Sequence, residues 1–215
     1  MVKSEKENKN ILSTAFMNRI PLYLNYLETI DGQNVETISA TKVSKALGLG
    51  EVLVRKELGK ISGNGKPKFG YTVKGLINDI WKFLNAKKNT NAVILGVGSL
   101  GTALMGHNGF AKFGINIIAG FEVDEKKIDN KKVFPISKLK SFVKKNNVKI
   151  GIIAVNQYSA SYAFEALINA KVKGIWNFTP IIFNERNNIV VKNENLAFSA
   201  AYLNILIQEN EKEND

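Results

Sequence analysis

The spacing of apolar residues changes near residue 90, and this change divides the 215-residue chain into two kinds of structure. Before it, apolar residues recur at helical spacing in short segments that are separated by glycines, as in Val52, Val54 and Leu58. After it, continuous apolar runs of strand length alternate with helical segments, beginning with AVILG at 92–96. Strands that alternate with helices imply a parallel sheet covered on both faces. We therefore expect a helical domain followed by an α/β domain.

These patterns predict four segments. Residues 1–10 form a flexible polar tail, residues 11–85 a helical domain and residues 91–194 an α/β domain, while residues 195–215 form a C-terminal helix and tail. The stretch LAFSAAYLNILIQEN within the last segment is unusually apolar for a terminal helix. We expect it to pack on a partner subunit.

The N-terminal domain has the order of a winged helix-turn-helix: helix, helix, turn, helix and then the basic hairpin loop GNGKPKFGY at 63–71. The net charge is +11, and residues 40–70 hold seven basic and two acidic side chains. In a winged helix the second helix of the pair enters the major groove of DNA and the wing contacts the backbone. The basic residues fall on both elements and favour DNA binding. A small helical bundle with a solvated charged face is the alternative.

Arg55 or Lys56 is the best candidate for contacts to base edges, because arginine binds guanine O6 and N7 in bidentate fashion. The lysines around them are expected to contact phosphates, which sets affinity and salt dependence. The predicted DNA-contacting residues are Lys42, Ser44, Lys45, Arg55, Lys56, Lys60, Lys66 and Lys68.

A G-x-G-x-x-G turn follows the first apolar strand and opens a helix, which is the context of a dinucleotide-binding turn. Its helix N-terminus offers N–H groups to phosphates. Glu122 lies 21 residues after Gly101, where an acidic side chain would bind an adenosine ribose, and this favours NAD(H) over NADP(H). A tight strand–helix turn without a ligand is the alternative. The predicted cofactor-binding residues of this region are Gly96, Val97, Gly98, Ser99, Leu100, Gly101, Glu122 and Asp124.

Several classes of function are excluded by composition. The chain has no cysteine and one histidine, His107, so it lacks thiolate chemistry and multi-histidine metal sites. No proton donor accompanies the dinucleotide turn, and we predict a binding protein without catalytic residues rather than an enzyme. The charged N-terminus and the lack of a long apolar run predict a cytoplasmic protein.

Several motifs together resemble the Rex family of redox-sensing transcriptional repressors. They are RIPLYL at 19–24, VRKEL at 54–58, FGYTV at 69–73, GVGSLGTAL at 96–104, Gly109-Phe110 and KGIWNFTP at 173–180. The resemblance implies a homodimer with exchanged C-terminal helices that binds operator DNA and leaves it when NADH binds. It adds Val155, Asn156, Asn177, Thr179 and Pro180 to the expected cofactor site.

Three positions depart from the family pattern. Asn25 stands where the family usually has arginine, His107 where it has tyrosine, and Asn195 where it has aspartate. The resemblance assigns all three to a polar network that couples the ligand to DNA binding. We therefore expect this chain to bind DNA with a weakened response to NADH.

Two other functions fit the residues. One is an NAD(H)-dependent oxidoreductase with a helical appendage, and the other is a module that binds coenzyme A or a nucleotide and carries a partner-binding helical domain. Binding measurements with NADH, NAD+, NADP(H) and coenzyme A discriminate among them.

Overall fold

The structure is a computed structural model, and it describes residues 13–66, 69–84 and 89–214. The chain separates into two compact units, one within residues 1–87 and the other within residues 88–215. The predicted tail at 1–10 lies outside the described residues.

The first unit is a winged helix, as the sequence predicts. Its elements are α1 (Thr14–Asp31), β1 (Thr37–Ile38), α2 (Ala40–Leu47), α3 (Glu51–Ser62), β2 (Tyr71–Thr72) and α4 (Val73–Phe83). Strand β1 pairs with β2 in antiparallel register, and an isolated bridge between Lys66 and Gly70 forms the wing.

Local sequence signals position α2 and α3. The hydroxyl of Ser39 accepts a hydrogen bond from the backbone N–H of Lys42 and begins α2. Gly48, in the left-handed conformation with φ 64°, ends it, and α3 begins two residues after Leu49. The apolar face of α3 then packs into the core with Val54 and Leu58, and its other face stays exposed.

The second unit is built around a six-stranded parallel sheet. Its elements are β3 (Thr90–Leu95), α5 (Ser99–Gly106), α6 (Gly109–Lys112), β4 (Ile115–Glu122), β5 (Val133–Pro135), α7 (Leu139–Lys145), β6 (Ile150–Ile153), α8 (Ala160–Ala170), β7 (Gly174–Asn177), β8 (Val190–Asn193) and α9 (Leu196–Asn214). The strand order is β5-β4-β3-β6-β7-β8, which is the order of a dinucleotide-binding Rossmann fold.

Strand β3 lies at the centre of the sheet and is buried on both faces. Val93 and Leu95 contribute to one hydrophobic cluster, and Ala92 and Ile94 contribute to another on the opposite face. The chain leaves β3 first towards β4 and later reaches β6 on the other side, so the connections diverge at the carboxyl end of β3. Such a divergence opens a crevice where ligands bind in folds of this type.

The apolar runs of the sequence predict strands at 92–96, 115–124, 148–155, 173–178 and 188–193, which match five of the six strands, but they do not predict β5. This strand has three residues, contains Pro135 and lies at the edge of the sheet, where a missing N–H is tolerated. A three-residue run carries too little periodicity to predict a strand.

Helix α9 is long and largely exposed. Its exposed apolar side chains are Leu196, Phe198, Tyr202, Leu203, Ile205, Leu206 and Ile207. Within the described ranges, no helix combines the length and the apolar character needed to cross a membrane.

We predict that Gly101→Ala unfolds the second unit more easily. A Cβ at this position would lie 2.0 Å from the backbone oxygen of Gly96, and backbone cannot yield as a side chain does. Gly106→Ala is the matched control on the same helix, because a Cβ there meets no atom within 4 Å. Thermal unfolding should show a loss of roughly 2 kcal/mol or more for Gly101→Ala, as expected for overpacking. Equal stability of both variants would contradict this prediction.

Candidate nucleotide cleft and DNA-binding face

A cavity of about 280 Å³ opens at the carboxyl ends of β3, β4 and β6, at the divergence described above. It is lined by Leu95, Gly96, Gly98, Phe121, Glu122, Val123, Lys127, Ile136, Ala154, Val155, Asn156, Ser159, Tyr162 and Ala163. The sheet topology therefore brings the glycine turn, the end of the second strand of this unit and the segment after β6 to one site.

Each glycine of the turn has a different environment. Gly96 has φ +92°, and a Cβ there would lie 2.7 Å from the backbone oxygen of Ala154. Gly101 allows α5 to approach the turn closely, as shown by the 2.0 Å separation given above. At Gly98 a Cβ would meet nothing within 4 Å, so this residue faces open space at the N-terminus of α5. That arrangement suits close approach of a phosphate to the backbone.

Glu122 ends β4 and bonds directly to the glycine turn. One carboxylate oxygen accepts a hydrogen bond from the N–H of Val97 at 3.0 Å, and the other accepts one from Val123 at 2.8 Å. The ammonium of Lys127 lies 3.9 Å away. Burial alone would raise the pKa of Glu122, but the backbone N–H groups of Val97, Val123 and Asp124, with the Lys127 charge, hold it below its usual range. Glu122 is therefore ionised at neutral pH.

Other predicted cofactor residues divide into two groups. Val155 and Asn156 line the cavity, and the side chain of Asn156 also accepts a bond from Ser159 N. Asn177 and Thr179 are buried and bond to each other, with Thr179 Oγ1 donating to Asn177 Oδ1 at 2.8 Å. Neither of them lines the cavity, and their side chains instead hold the loop after β7.

Five more predicted cofactor residues are not among those that line the cavity. Val97 contributes its N–H to Glu122, whereas Asp124 caps a short 3-10 helix by accepting a bond from Lys126 N. Ser99 and Leu100 are exposed in the first turn of α5, and Pro180 is exposed after Thr179.

Lys127, Ile136, Ser159 and Tyr162 line the cavity but are not among the residues predicted from the sequence. Ser159 and Tyr162 follow β6 at the start of α8, and this position at the carboxyl edge is the only signal that could have indicated them.

The exposed face of the winged helix carries most of the predicted DNA-contacting residues. Those that are exposed are Lys42, Lys45, Arg55, Lys56, Lys60 and Lys66. On α3, Arg55 forms an ion pair with Glu51 one turn earlier, and Lys60 lies 5.5 Å from the ring of Phe16. Recognition by a helix of this kind uses exposed residues of its N-terminal part, and Arg55 and Lys56, in the second turn of α3, are the first basic residues of this helix.

One predicted contact, Ser44, is not on this face, and another, Lys68, cannot be placed relative to it. Ser44 is buried, and its hydroxyl donates a hydrogen bond to the backbone oxygen of Thr41 at 2.9 Å, so it does not lie on the exposed face and its contact with DNA stays a prediction. A serine in mid-helix often bonds back to the preceding turn in this way, and sequence alone did not reveal which face it occupies. Lys68 lies outside the described residues.

A buried carboxylate connects α3 to α1. Glu57 accepts bonds from Arg19 Nε at 3.0 Å and Arg19 Nη2 at 2.5 Å, and a third from the hydroxyl of Tyr23 at 2.5 Å. Burial alone would raise the pKa of Glu57, but the hydrogen bonds from Arg19 and Tyr23 and the Arg19 charge lower it. The motifs RIPLYL and VRKEL contain these residues, but no local pattern indicates that the two motifs contact each other. We refer to Arg19, Tyr23 and Glu57 as the α1–α3 clamp.

The three positions predicted to couple ligand to DNA lie in different surroundings. Asn25 is exposed on α1. His107 is exposed after α5, with its ring 4.8 Å from that of Phe110. Asn195 caps α9 by accepting a hydrogen bond from Phe198 N at 2.9 Å.

A winged helix with an exposed basic face and a Rossmann unit with an accessible glycine turn define a transcription regulator that carries a nucleotide-binding unit. Comparison with protein families agrees with this architecture. Residues 11–58 match the family model described as "Putative DNA-binding protein N-terminus", and residues 87–181 match the model of the CoA binding domain.

Curated relatives match almost the whole chain. A redox-sensing transcriptional repressor Rex of Clostridium novyi (strain NT) is 34% identical over 94% of this chain and 98% of its own length. A Rex of Treponema denticola is 37% identical over 89% of this chain and 93% of its own length. The chain belongs to the Rex family of redox-sensing transcriptional repressors, and this membership places it among regulators rather than enzymes.

Solved structures extend this similarity to three dimensions. The crystal structure of RSP in complex with β-NAD+ and operator DNA has a TM-score of 0.85 and 28% identity, and covers 94% of this chain and 95% of that one. RSP in complex with β-NADH has a TM-score of 0.83 and 29% identity, and covers 95% and 98%. A further crystal structure similar to this chain is that of RSP, a Rex-family repressor.

Proposed function

We propose that this chain represses transcription by binding operator DNA through its winged helix, and that NADH bound in the Rossmann unit favours release from DNA. The observation that carries the proposal is that similarity to Rex repressors spans both units, while each unit presents the surface that its part of the function requires. The basic face of α3 and the wing supplies the DNA-binding surface, and the cavity beside Gly98 supplies the ligand site. Since DNA is its partner, the proposed location is the cytoplasm.

In this proposal the glycine turn binds the pyrophosphate and Glu122 binds the adenosine ribose. Gly98 lets the phosphate approach the backbone, and the first N–H groups of α5 have no partner within the helix. Each oxygen of Glu122 accepts one backbone bond and keeps capacity to accept another from a ribose hydroxyl. Val155 and Asn156 line the same cavity and would contact the ligand beyond the pyrophosphate. The redox response requires NADH to bind the state that does not bind DNA more tightly than the state that does.

The proposed assembly is a homodimer that covers α9. Seven large apolar side chains of this helix are exposed within one chain, and a surface of this kind marks a protein interface. A second copy of the chain, seated on α9 by exchange of the two C-terminal helices, supplies the apolar cover that one chain lacks.

We predict that NADH releases the protein from its preferred duplex. The duplex is first selected from a random pool, and its binding is then followed by fluorescence anisotropy with NADH, NAD+, NADPH or coenzyme A added. NADH should weaken binding more than NAD+ does. The variant Gly98→Ala should fold and bind DNA normally, because its Cβ meets no protein atom, and should lose the response because the Cβ occupies the approach of the phosphate.

Two outcomes would contradict this proposal. If no duplex is selected over random sequence, the chain is not a sequence-specific repressor. If coenzyme A binds and NADH does not, the alternative of a coenzyme A-binding module is favoured. The match of residues 87–181 to the model of the CoA binding domain is compatible with that alternative. Oxidation of NADH with a small carbonyl substrate would favour the oxidoreductase instead.

We predict that Arg55→Ala and Lys66→Ala weaken DNA binding in different ways. Arg55→Ala should reduce the preference for the selected duplex over a scrambled one, since arginine can read a base edge. Lys66→Ala should weaken binding to both duplexes evenly and lower the slope of log affinity against log salt by about one, because it removes one phosphate contact. Equal loss of specificity in both variants would contradict this division of roles.

We further propose that Asn25, His107 and Asn195 weaken the response to NADH. Asparagine and aspartate are comparable N-caps, so Asn195→Asp preserves the cap of α9 while restoring a charge. The double variant Asn25→Arg/Asn195→Asp should be released from DNA at an NADH concentration at least about fivefold lower than the unmodified protein requires. A factor of about five is the lower end of the usual range of allosteric coupling. Asn188→Asp, on an exposed turn, is the control. Release of the unmodified protein at micromolar NADH, with no effect of NAD+, would contradict a weakened response.

A further inference from the structure

We propose that Arg19, Tyr23 and Glu57 are positioning residues for base recognition, because the α1–α3 clamp fixes the orientation of the recognition helix on the winged-helix unit. None of the three needs to touch DNA. The inference rests on the proposed operator binding and adds to it the residues on which sequence discrimination depends.

The clamp acts on the face of α3 opposite to the one that would contact bases. Glu57 follows Arg55 by two residues, which places the two side chains about 200° apart around the helix axis. Glu57 is 4% exposed, whereas the side chain of Arg55 is 68% exposed. The orientation of the buried carboxylate therefore sets the direction in which Arg55 and its neighbour Lys56 project.

Apolar packing alone would restrict the rotation of α3 about its axis less than the clamp does. Val54 and Leu58 are fully buried beside Glu57, but the hydrophobic effect is non-directional and tolerates small rotations of a helix on its core. The carboxylate adds three directional bonds, two of them from the rigid fork of one guanidinium. Both donors, Arg19 and Tyr23, lie one turn apart on α1 and fix the carboxylate from a single element.

A small rotation of α3 is enough to matter for recognition. Side chains lie about 5–6 Å from a helix axis, so a rotation of about 20° moves their ends by roughly 2 Å. A bidentate contact to a base tolerates only a few tenths of an ångström in its hydrogen bonds. Phosphate contacts from flexible lysines tolerate much larger displacements. Loss of the clamp should therefore reduce discrimination between base sequences more than it reduces general affinity for DNA.

Stability alone does not account for the clamp. A buried ion pair is costly to desolvate, and apolar residues of similar volume often replace such a pair without loss of stability. The same replacement removes the directional bonds. Stability and base discrimination can therefore be separated by experiment.

The test compares an apolar replacement of the clamp with a conservative variant and a control. The triple variant Arg19→Met/Tyr23→Phe/Glu57→Leu removes all three bonds and leaves no buried charge unpaired. Arg19→Lys keeps the charge but cannot form the two parallel bonds. The control is Arg186→Gln/Glu165→Gln, which removes an ion pair of the same charges from the second unit. Each protein is measured for thermal unfolding, for its ratio of affinities for the selected and scrambled duplexes, and for its salt slope.

We expect the triple variant to remain folded, with an unchanged salt slope and an affinity ratio that falls by about 5- to 150-fold, the discrimination of one bidentate base contact. Arg19→Lys should show a smaller fall in the ratio, and the control none. A folded triple variant with the ratio of the unmodified protein would overturn the inference. If the triple variant does not fold, the test rests on Arg19→Lys. An unchanged ratio of affinities for the selected and scrambled duplexes in Arg19→Lys would overturn the inference, and a reduced ratio would support it. Lack of selectivity in the unmodified protein would instead refute the proposed function.

Discussion

The close contact between the glycine turn and the first helix of the Rossmann unit is the constraint on which the ligand cleft depends. Because Gly101 lets α5 approach the backbone of Gly96, the helix begins directly above the end of β3. The same turn leaves Gly98 facing open space, and it presents the N–H of Val97 to Glu122 on the neighbouring strand. The turn therefore links β3, β4 and α5, and it determines where a phosphate can approach.

A carboxylate that is partly or fully removed from solvent occupies a comparable place in each unit. Glu122 joins the end of β4 to the glycine turn, and Glu57 joins α3 to α1. Both carboxylates keep a lowered pKa despite burial, because hydrogen bonds from neighbouring groups stabilise the charged form. In each unit the charge is bonded to neighbouring residues: Glu122 lines the ligand cavity, and Glu57 lies on the face of α3 opposite to the one that would contact DNA. Directional bonds thus supplement apolar packing where orientation matters.

The sequence was sufficient to predict the architecture because periodicity and glycine spacing are local signals. The winged helix, the central strands and the G-x-G-x-x-G turn were all predicted correctly. Contacts between distant residues were not predictable in this way. Ser44 could not be assigned to a buried face, and the bonds of Glu57 to Arg19 and Tyr23 join residues 38 and 34 positions apart. The roles of the cleft residues that follow β6 depend on strand order, which only the folded sheet defines.

The α1–α3 clamp also has a consequence for how a signal could reach DNA. With the recognition helix bonded to α1 through a buried charge, the winged helix would resist internal rearrangement and could move as one rigid body. A ligand bound in the other unit would then act by changing the separation and relative tilt of the two winged helices of a dimer, and not by changing the conformation of either one. Control by spacing of this kind would make the distance between operator half-sites, as much as their base sequence, a quantity that a regulated promoter must match.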